Sequence, residues 1–221
     1  MKIGNYDIKP FLLYLSDEES FVKAWEDCKQ HLAEQGIDDV SSFEGVYGKG
    51  FGIVGTHTYE LDNPNGGHMI GQKYTALFLS TYVFYSIANH YPATHFMFME
   101  PDNRFNPDWR ERLEKALADI PPDFDFLFVG SCCAMDKRPV PVKPGSDVYK
   151  YRRTSGYPAM YPLGGNCYIV AKKALPHIIK TQRDAYAPSD ISLAIHSFPE
   201  MDVYAILPRL CEQLGNENLP H

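Results

Sequence analysis

Hydrophobic and polar positions along this chain switch between a strand-like and a helix-like period. "PFLLYLS" (Pro10 to Ser16) is an apolar run without helical spacing and predicts a strand. "DEESFVKAWEDCKQHLAEQGI" follows with acids first, apolar residues at helical spacing and Gly36 as a stop, which predicts a helix. "VSSFEGVYGKGFGIVGTH" predicts a short strand and a long loop, and "ELDNPNGGHM" reads as loop from its turn residues. From Gln72 to Asn89 apolar residues occupy most faces, which predicts a buried helix leading through "HYPAT" into a strand, "HFMFM". "NPDWRERLEKALADIP" predicts an amphipathic helix opened by Asn-Pro, with Trp109, Leu113, Ala116 and Leu117 on its apolar side. "DFDFLFVGS" reads as a second buried strand. The stretch from Ala134 to Tyr161 has no periodicity and is expected to be a loop that moves over a site. Beyond it come a glycine turn, strand and helix in "LGGNCYIVAKKALPHIIKTQ", a helix opened by Ser189 or Asp190 in "PSDISLAIHSF", and a final strand and tail in "MDVYAILPRLCEQ". The order β-α-β-α-β-α-β predicts an α/β sandwich with a mostly parallel central sheet, as one domain over residues 1–221.

Composition narrows the function. With 221 residues and 44% hydrophobic content the chain can bury a full core, and its net charge of -7 repels nucleic acid and anionic membranes, so an anionic substrate has to be held locally. The five cysteines match no zinc spacing and are expected to be reduced thiols. No charged-then-apolar leader is visible and no apolar run approaches the roughly 20 residues of a bilayer span, so a cytoplasmic protein without a transmembrane segment is expected, in a host cytoplasm if the source is viral or phage.

The strand "HFMFM" runs directly into Glu100-Pro101-Asp102. In an open α/β sheet ligands collect beyond the carboxyl ends of the strands, and residues two apart in an extended segment point the same way. Two carboxylates there repel each other unless a cation joins them; Mg²⁺ or Mn²⁺, hard ions that keep sites for phosphate oxygens, fit oxygen donors best. The alternative is a turn followed by the next helix, since proline and aspartate are strong turn formers. On the local stretch alone these readings stand level.

The order of several motifs resembles glycosyltransferase family 25, whose members include lipooligosaccharide and collagen galactosyltransferases. The matching segments are "FLLYLSDEES", "FEGVYG", "LFLSTYVFYSIANHYPATHFMFMEPDNRF", "GGNCYIVAKKAL", "PSDISL" and "VYAILPRLCEQ", covering about Leu12 to Gln213. The resemblance implies the nucleotide-sugar GT-A fold and an inverting transfer of a hexose from a UDP-sugar to a hydroxyl of a glycan, protein or modified-base acceptor, with Mn²⁺ or Mg²⁺. It implies Glu100 and Asp102 on the metal, and Asp190 as catalytic base. Pro101 replaces the middle acid of the family's Glu-Asp-Asp, and Thr81 stands where the family often has histidine.

Other candidates carry paired readings. Asp190 is either the base that takes the acceptor proton or a helix cap, with Glu200 and Asp202 the next carboxylates in line. Gly164, Gly165 and Asn166 either let backbone approach a sugar, with Asn166 donating to a hydroxyl, or form a plain turn. Tyr14, Ser16 and Asp17 follow the first strand, where the fold places base and ribose; Tyr14 reads equally as core. Lys137, Arg138, Lys143, Lys150, Arg152 and Arg153 either screen a diphosphate or form a solvated face. Of the histidines, His196 is the least poor metal candidate. A metal-dependent phosphoesterase or nuclease, and a non-catalytic carbohydrate-binding relative, are the competing functions.

Overall fold

The computed structural model describes residues 1–16, 19–46, 72–130, 140–151, 164–183 and 188–214, apart from the side chains of 72–75. In chain order its elements are β1 (Lys2–Ile3), β2 (Tyr6–Tyr14), α1 (Glu19–Glu34), β3 (Ser41–Glu44), α2 (Gln72–His90), β4 (His95–Met99) and β5 (Asn103–Phe105). They continue with α3 (Trp109–Asp119), β6 (Phe126–Gly130), β7 (Val140–Pro141), β8 (Val148–Lys150), β9 (Cys167–Ala171), α4 (Leu175–Thr181), α5 (Ser189–Ser192), β10 (Val203–Ile206) and β11 (Cys211–Gln213). A π-helical turn, Leu193–Ser197, widens the end of α5. No helix among the described residues is long and apolar enough to cross a membrane.

Nine strands form one sheet in the order β1-β2-β4-β9-β6-β10-β8-β7, with β3 beside β1 on the outer edge of β2. Strands β2, β3, β4, β6 and β10 run the same way, so the sheet is mostly parallel in direction. Strand β9 lies between β4 and β6 and runs against both, which the α/β order did not foretell. Every residue of β4, β6, β9 and β10 is buried, and all but His95 are apolar, because helices cover both faces. Met97 and Met99 join Trp109, Leu113 and Leu32 under α1 and α3. Phe96 and Phe98 face the other way, toward Phe84, Tyr85, Leu175 and Ile178 of α2 and α4. On that side the Tyr168 ring stacks between Phe98 (5.0 Å) and Phe126 (4.6 Å), and its hydroxyl meets that of Tyr85 at 2.8 Å.

Three local expectations change. The Asn106-Pro107 start of α3 is displaced to Trp109: Asp108 takes the N-cap position without a side-chain cap, and the Asn106 amide donates to the Arg209 carbonyl (3.1 Å). The aperiodic stretch from 134 to 161 contains, in its described part, the antiparallel hairpin β7/β8, which extends the sheet beyond β10. The residues after the acid pair form β5, which pairs with β11 as a separate two-stranded ribbon where a plain tail was expected.

His95 opens the central strand as a buried residue, its ring against Tyr6 (5.0 Å) and Phe124 (5.1 Å) and its Nδ1 2.9 Å from the Thr94 hydroxyl. Burial, helped by Lys173, lowers its pKa to about 4, so the folded protein holds it neutral. Unfolded histidine titrates near ~6.5; the folded state therefore binds fewer protons between the two values, and stability present above ~6.5 is lost as pH falls toward 4. The loss of stability between pH 7 and about pH 4.5, measured by urea unfolding, is expected to be smaller in His95→Phe than in the wild type.

Candidate functional site

Three chain segments meet beyond the carboxyl ends of β4 and β6. Glu100, Pro101 and Asp102 leave β4 in a turn, with the Asn103 N–H donating to the Glu100 carbonyl at 3.4 Å. The acids are thus not aligned by extended backbone as the sequence suggested. They converge because the Gln213 amide, delivered by β11, lies 2.8 Å from Asp102 Oδ2 and 3.4 Å from Glu100 Oε2. Pro101 is buried and lines with Ser20, Phe21 and Ala24 of α1 a small pocket of about 160 Å³, flanked by both carboxylates. That volume suits one group of a ligand, since whole-ligand pockets usually begin near ~300 Å³.

The glycine turn enters from the opposite side. Gly164 has φ +83, a left-handed conformation open to glycine at little cost. Its N–H donates to Asp190 Oδ2 (2.8 Å), and Asp190 Oδ1 accepts from the Ile191 N–H (2.8 Å). Asp190 therefore ties α5 to the glycine turn across 26 residues; Pro188 occupies the N-cap position, and no side chain caps that helix. Two residues on, the Asn166 carbonyl accepts from the Glu100 N–H (2.9 Å) and from Asn103 Nδ2 (2.7 Å). Asp190, the glycine turn and the acid pair are thereby brought to one edge of the sheet.

Asn103, missed in the sequence, joins these parts. Its side chain is fully buried: Nδ2 donates to the carbonyls of Glu100 (2.8 Å) and Asn166, while Oδ1 accepts from Asn166 Nδ2 (2.6 Å) and from the Cys211 thiol (3.6 Å). The Cys28 thiol, its pKa pushed up to about 12 by burial, approaches the Asn103 carbonyl at 3.8 Å. Cys28, Cys167 and Cys211 are free thiols, as expected of reduced cysteines. On the outer side of the ribbon, His31 Nε2 accepts from the Phe105 N–H (2.9 Å), and burial together with Arg104 lowers the histidine pKa.

Several roles are revised by these contacts. Asn166 was expected to donate to a hydroxyl; its Nδ2 donates to Asn103 Oδ1 (2.6 Å), and its buried Oδ1 is an atom with no partner among the described residues. The Thr81 hydroxyl donates to the Phe78 carbonyl of its own helix (2.8 Å). Lys150 pairs with Asp202 (2.9 Å) at the start of β10, the edge opposite the acid pair, and Lys143 pairs with Asp119 (2.7 Å); neither described lysine faces the site as a free cation. Asp202 is thereby also remote from Asp190. A larger cleft, about 630 Å³, lies at that far edge beside Asp119, Val140, Lys150 and Tyr204, but its acids are already matched by lysines. A Cβ at Gly165 would touch the Tyr168 ring at 3.4 Å.

At the outer strands, Tyr14 packs on Trp25 (4.7 Å) and the Ser16 hydroxyl donates to Glu44 Oε1 (2.5 Å), joining the ends of β2 and β3. Glu44 had escaped notice, although "FEGVYG" contains it; the adjoining Gly45 leaves no room for a Cβ, which would come within 2.6 Å of Leu13 and 2.8 Å of the Ser80 hydroxyl. Asp17 and the basic residues Lys137, Arg138, Arg152 and Arg153 lie outside the described residues. No group of three or more His, Cys, Asp or Glu among the described residues could hold a metal by itself, His196 included. The acid pair still fits a hard divalent ion, because oxygens from both carboxylates reach one amide; water and ligand oxygens would complete the shell.

No family model matches the chain, and no curated protein matches it. Among solved structures it is similar to a glycosyltransferase involved in the glycosylation of the major capsid of PBCV-1, at 12% identity over 81% of this chain and 68% of that one, with a TM-score of 0.40. It is also similar to mannose-1-phosphate geranyltransferase from Thermus thermophilus (11% identity, 93% and 76% covered, TM-score 0.44) and to A197 from STIV (12% identity, 93% and 83% covered, TM-score 0.38). These are distant likenesses, and the chemistry of the site rests on this chain's own residues.

The Asp190 contacts give a stability prediction. Asp190→Asn keeps one acceptor oxygen for two backbone N–H groups, so one charge-assisted hydrogen bond is lost, at about 1.5–3 kcal/mol. Urea unfolding is expected to show that loss. A variant as stable as the wild type would mean that Asp190 does not hold the glycine turn.

Proposed function

We propose that the chain is a glycosyltransferase that moves a hexose from a UDP-sugar to a hydroxyl acceptor, with inversion and with help from Mn²⁺ or Mg²⁺. The observation that carries the reading is the convergence of Glu100 and Asp102 on one point beside the first turn of α1, within reach of a glycine turn held by Asp190. A diphosphate in the small pocket would meet an ion held by the two acids on one side and the N–H groups that begin α1 on the other. Bound there, the ion would neutralise charge on the departing diphosphate.

This chain's residues supply the rest. Ser16 and Glu44, joined at the ends of β2 and β3, offer hydroxyl and carboxylate oxygens to a base or ribose. Asp190 is the proposed base: each carboxylate oxygen holds one backbone N–H and keeps a further lone pair for the acceptor proton. Inversion follows if the acceptor oxygen attacks the anomeric carbon from the face opposite the diphosphate. The Asn166 Oδ1 beside the glycine turn would accept from a sugar hydroxyl.

A non-catalytic carbohydrate-binding relative is the second reading, favoured by one observation: both Asp190 oxygens already serve structure. Two measurements separate them. Calorimetry is expected to show UDP binding strengthened by Mn²⁺, with Asp102→Ala removing the metal-dependent part in a folded protein; unchanged binding would take the acids out of the site. In a transfer assay Asp190→Asn is expected to lose roughly 10²-fold or more in turnover while still binding donor, the scale of a lost general base. Donor binding without any turnover by the wild type would favour the second reading.

A further inference from the structure

Strand β11 raises a question that the transfer reading leaves open: why a short ribbon, apart from the main sheet, ends on an amide between two carboxylates. The register Cys211↔Phe105, Glu212↔Arg104, Gln213↔Asn103 fixes the strand. On either side of it the Leu210 N–H donates to the Val129 carbonyl (2.9 Å) and the Leu214 N–H donates to the Asp102 carbonyl (2.9 Å). Alternation puts Cys211 and Gln213 on one face of the ribbon: Cys211 is buried against Asn103, and Gln213, half-buried, reaches the acids. Main-chain bonds thus set the position of the Gln213 side chain, and the ribbon is anchored at the turn it serves.

We propose that Gln213 is the positioning residue of the acid pair: its amide draws Glu100 Oε2 and Asp102 Oδ2 toward a common point and so sets the spacing at which a divalent cation is held. The cation clause rests on the transfer reading above. A primary amide suits this task. It carries two N–H donors, one for each carboxylate, and no charge. Lysine or arginine in its place would satisfy the same oxygens but cancel the negative charge that attracts a cation; leucine would remove the donor that the two carboxylates share. Each carboxylate oxygen bonded to the amide keeps a second lone pair, so amide and ion can be held together. Partners of this kind behind metal ligands typically change metal affinity about 10- to 100-fold when removed.

The test uses the full chain and two independent readouts. By NMR the side-chain amide resonance of Gln213, identified by its loss in Gln213→Leu, is expected to shift in Asp102→Asn and again in Glu100→Gln. By calorimetry Gln213→Leu, with a melting temperature close to the wild type, is expected to bind Mn²⁺ at least about tenfold more weakly. Gln213→Lys is expected to melt no lower than the wild type and to bind no Mn²⁺. An amide resonance indifferent to Asp102→Asn overturns the proposal, as does wild-type Mn²⁺ affinity in Gln213→Leu. If the wild type itself binds no Mn²⁺, the metal part of the transfer reading fails, and the amide resonance alone then decides whether Gln213 positions the acids.

Discussion

The arrangement of the site depends on one buried amide. Asn103 has no exposed surface, and its side chain joins the acid turn, the glycine turn and β11 through four hydrogen bonds. A buried donor or acceptor left without a partner costs about 1–3 kcal/mol, so the segments that satisfy this amide cannot drift apart independently. The carbonyl of Asn166, shared between Asn103 and the N–H of Glu100, makes the two turns a single unit. The acid turn is therefore joined through Asn166 to the turn that Asp190 holds.

That unit stands on a stiff floor. Phe98, Tyr168 and Phe126 stack across three adjacent strands, and a Cβ at Gly165 would touch the Tyr168 ring. Gly130 ends β6 where a Cβ would meet the Cys211 sulfur at 2.4 Å, so the chain passes close beneath β11 only because glycine is there. Close packing of this kind holds polar groups to narrow positions, which is what preorganised sites need.

The sequence made the layers legible and concealed the joints. Helical spacing located α1 and α3, a long stretch apolar on most faces located α2, and short apolar runs located β4, β6 and β9, because burial on both faces leaves no alternation to misread. The acids at the end of β4 were visible for the same reason: a strand that is apolar from Phe96 to Met99 makes the carboxylate after it conspicuous. The direction of β9 was not legible, since a buried strand looks the same read either way. Nor was Asn103, a polar residue in a three-residue strand whose partners lie 63 and 108 residues away. Gln213 stood in plain view after Leu-Cys-Glu, but only the ribbon with β5 gives it a destination.

The reversed direction of β9 bears on how the two turns come together. A strand parallel to its neighbours would begin at the edge far from the acids, and the chain before it would arrive there. Because β9 begins where β6 ends, with Gly130 and Cys167 side by side in register, the chain between them both departs and returns at the ligand edge. The glycine turn before β9 and the acid turn after β4 therefore lie at the same end of the sheet, where the Asn166 carbonyl can accept from the Glu100 N–H.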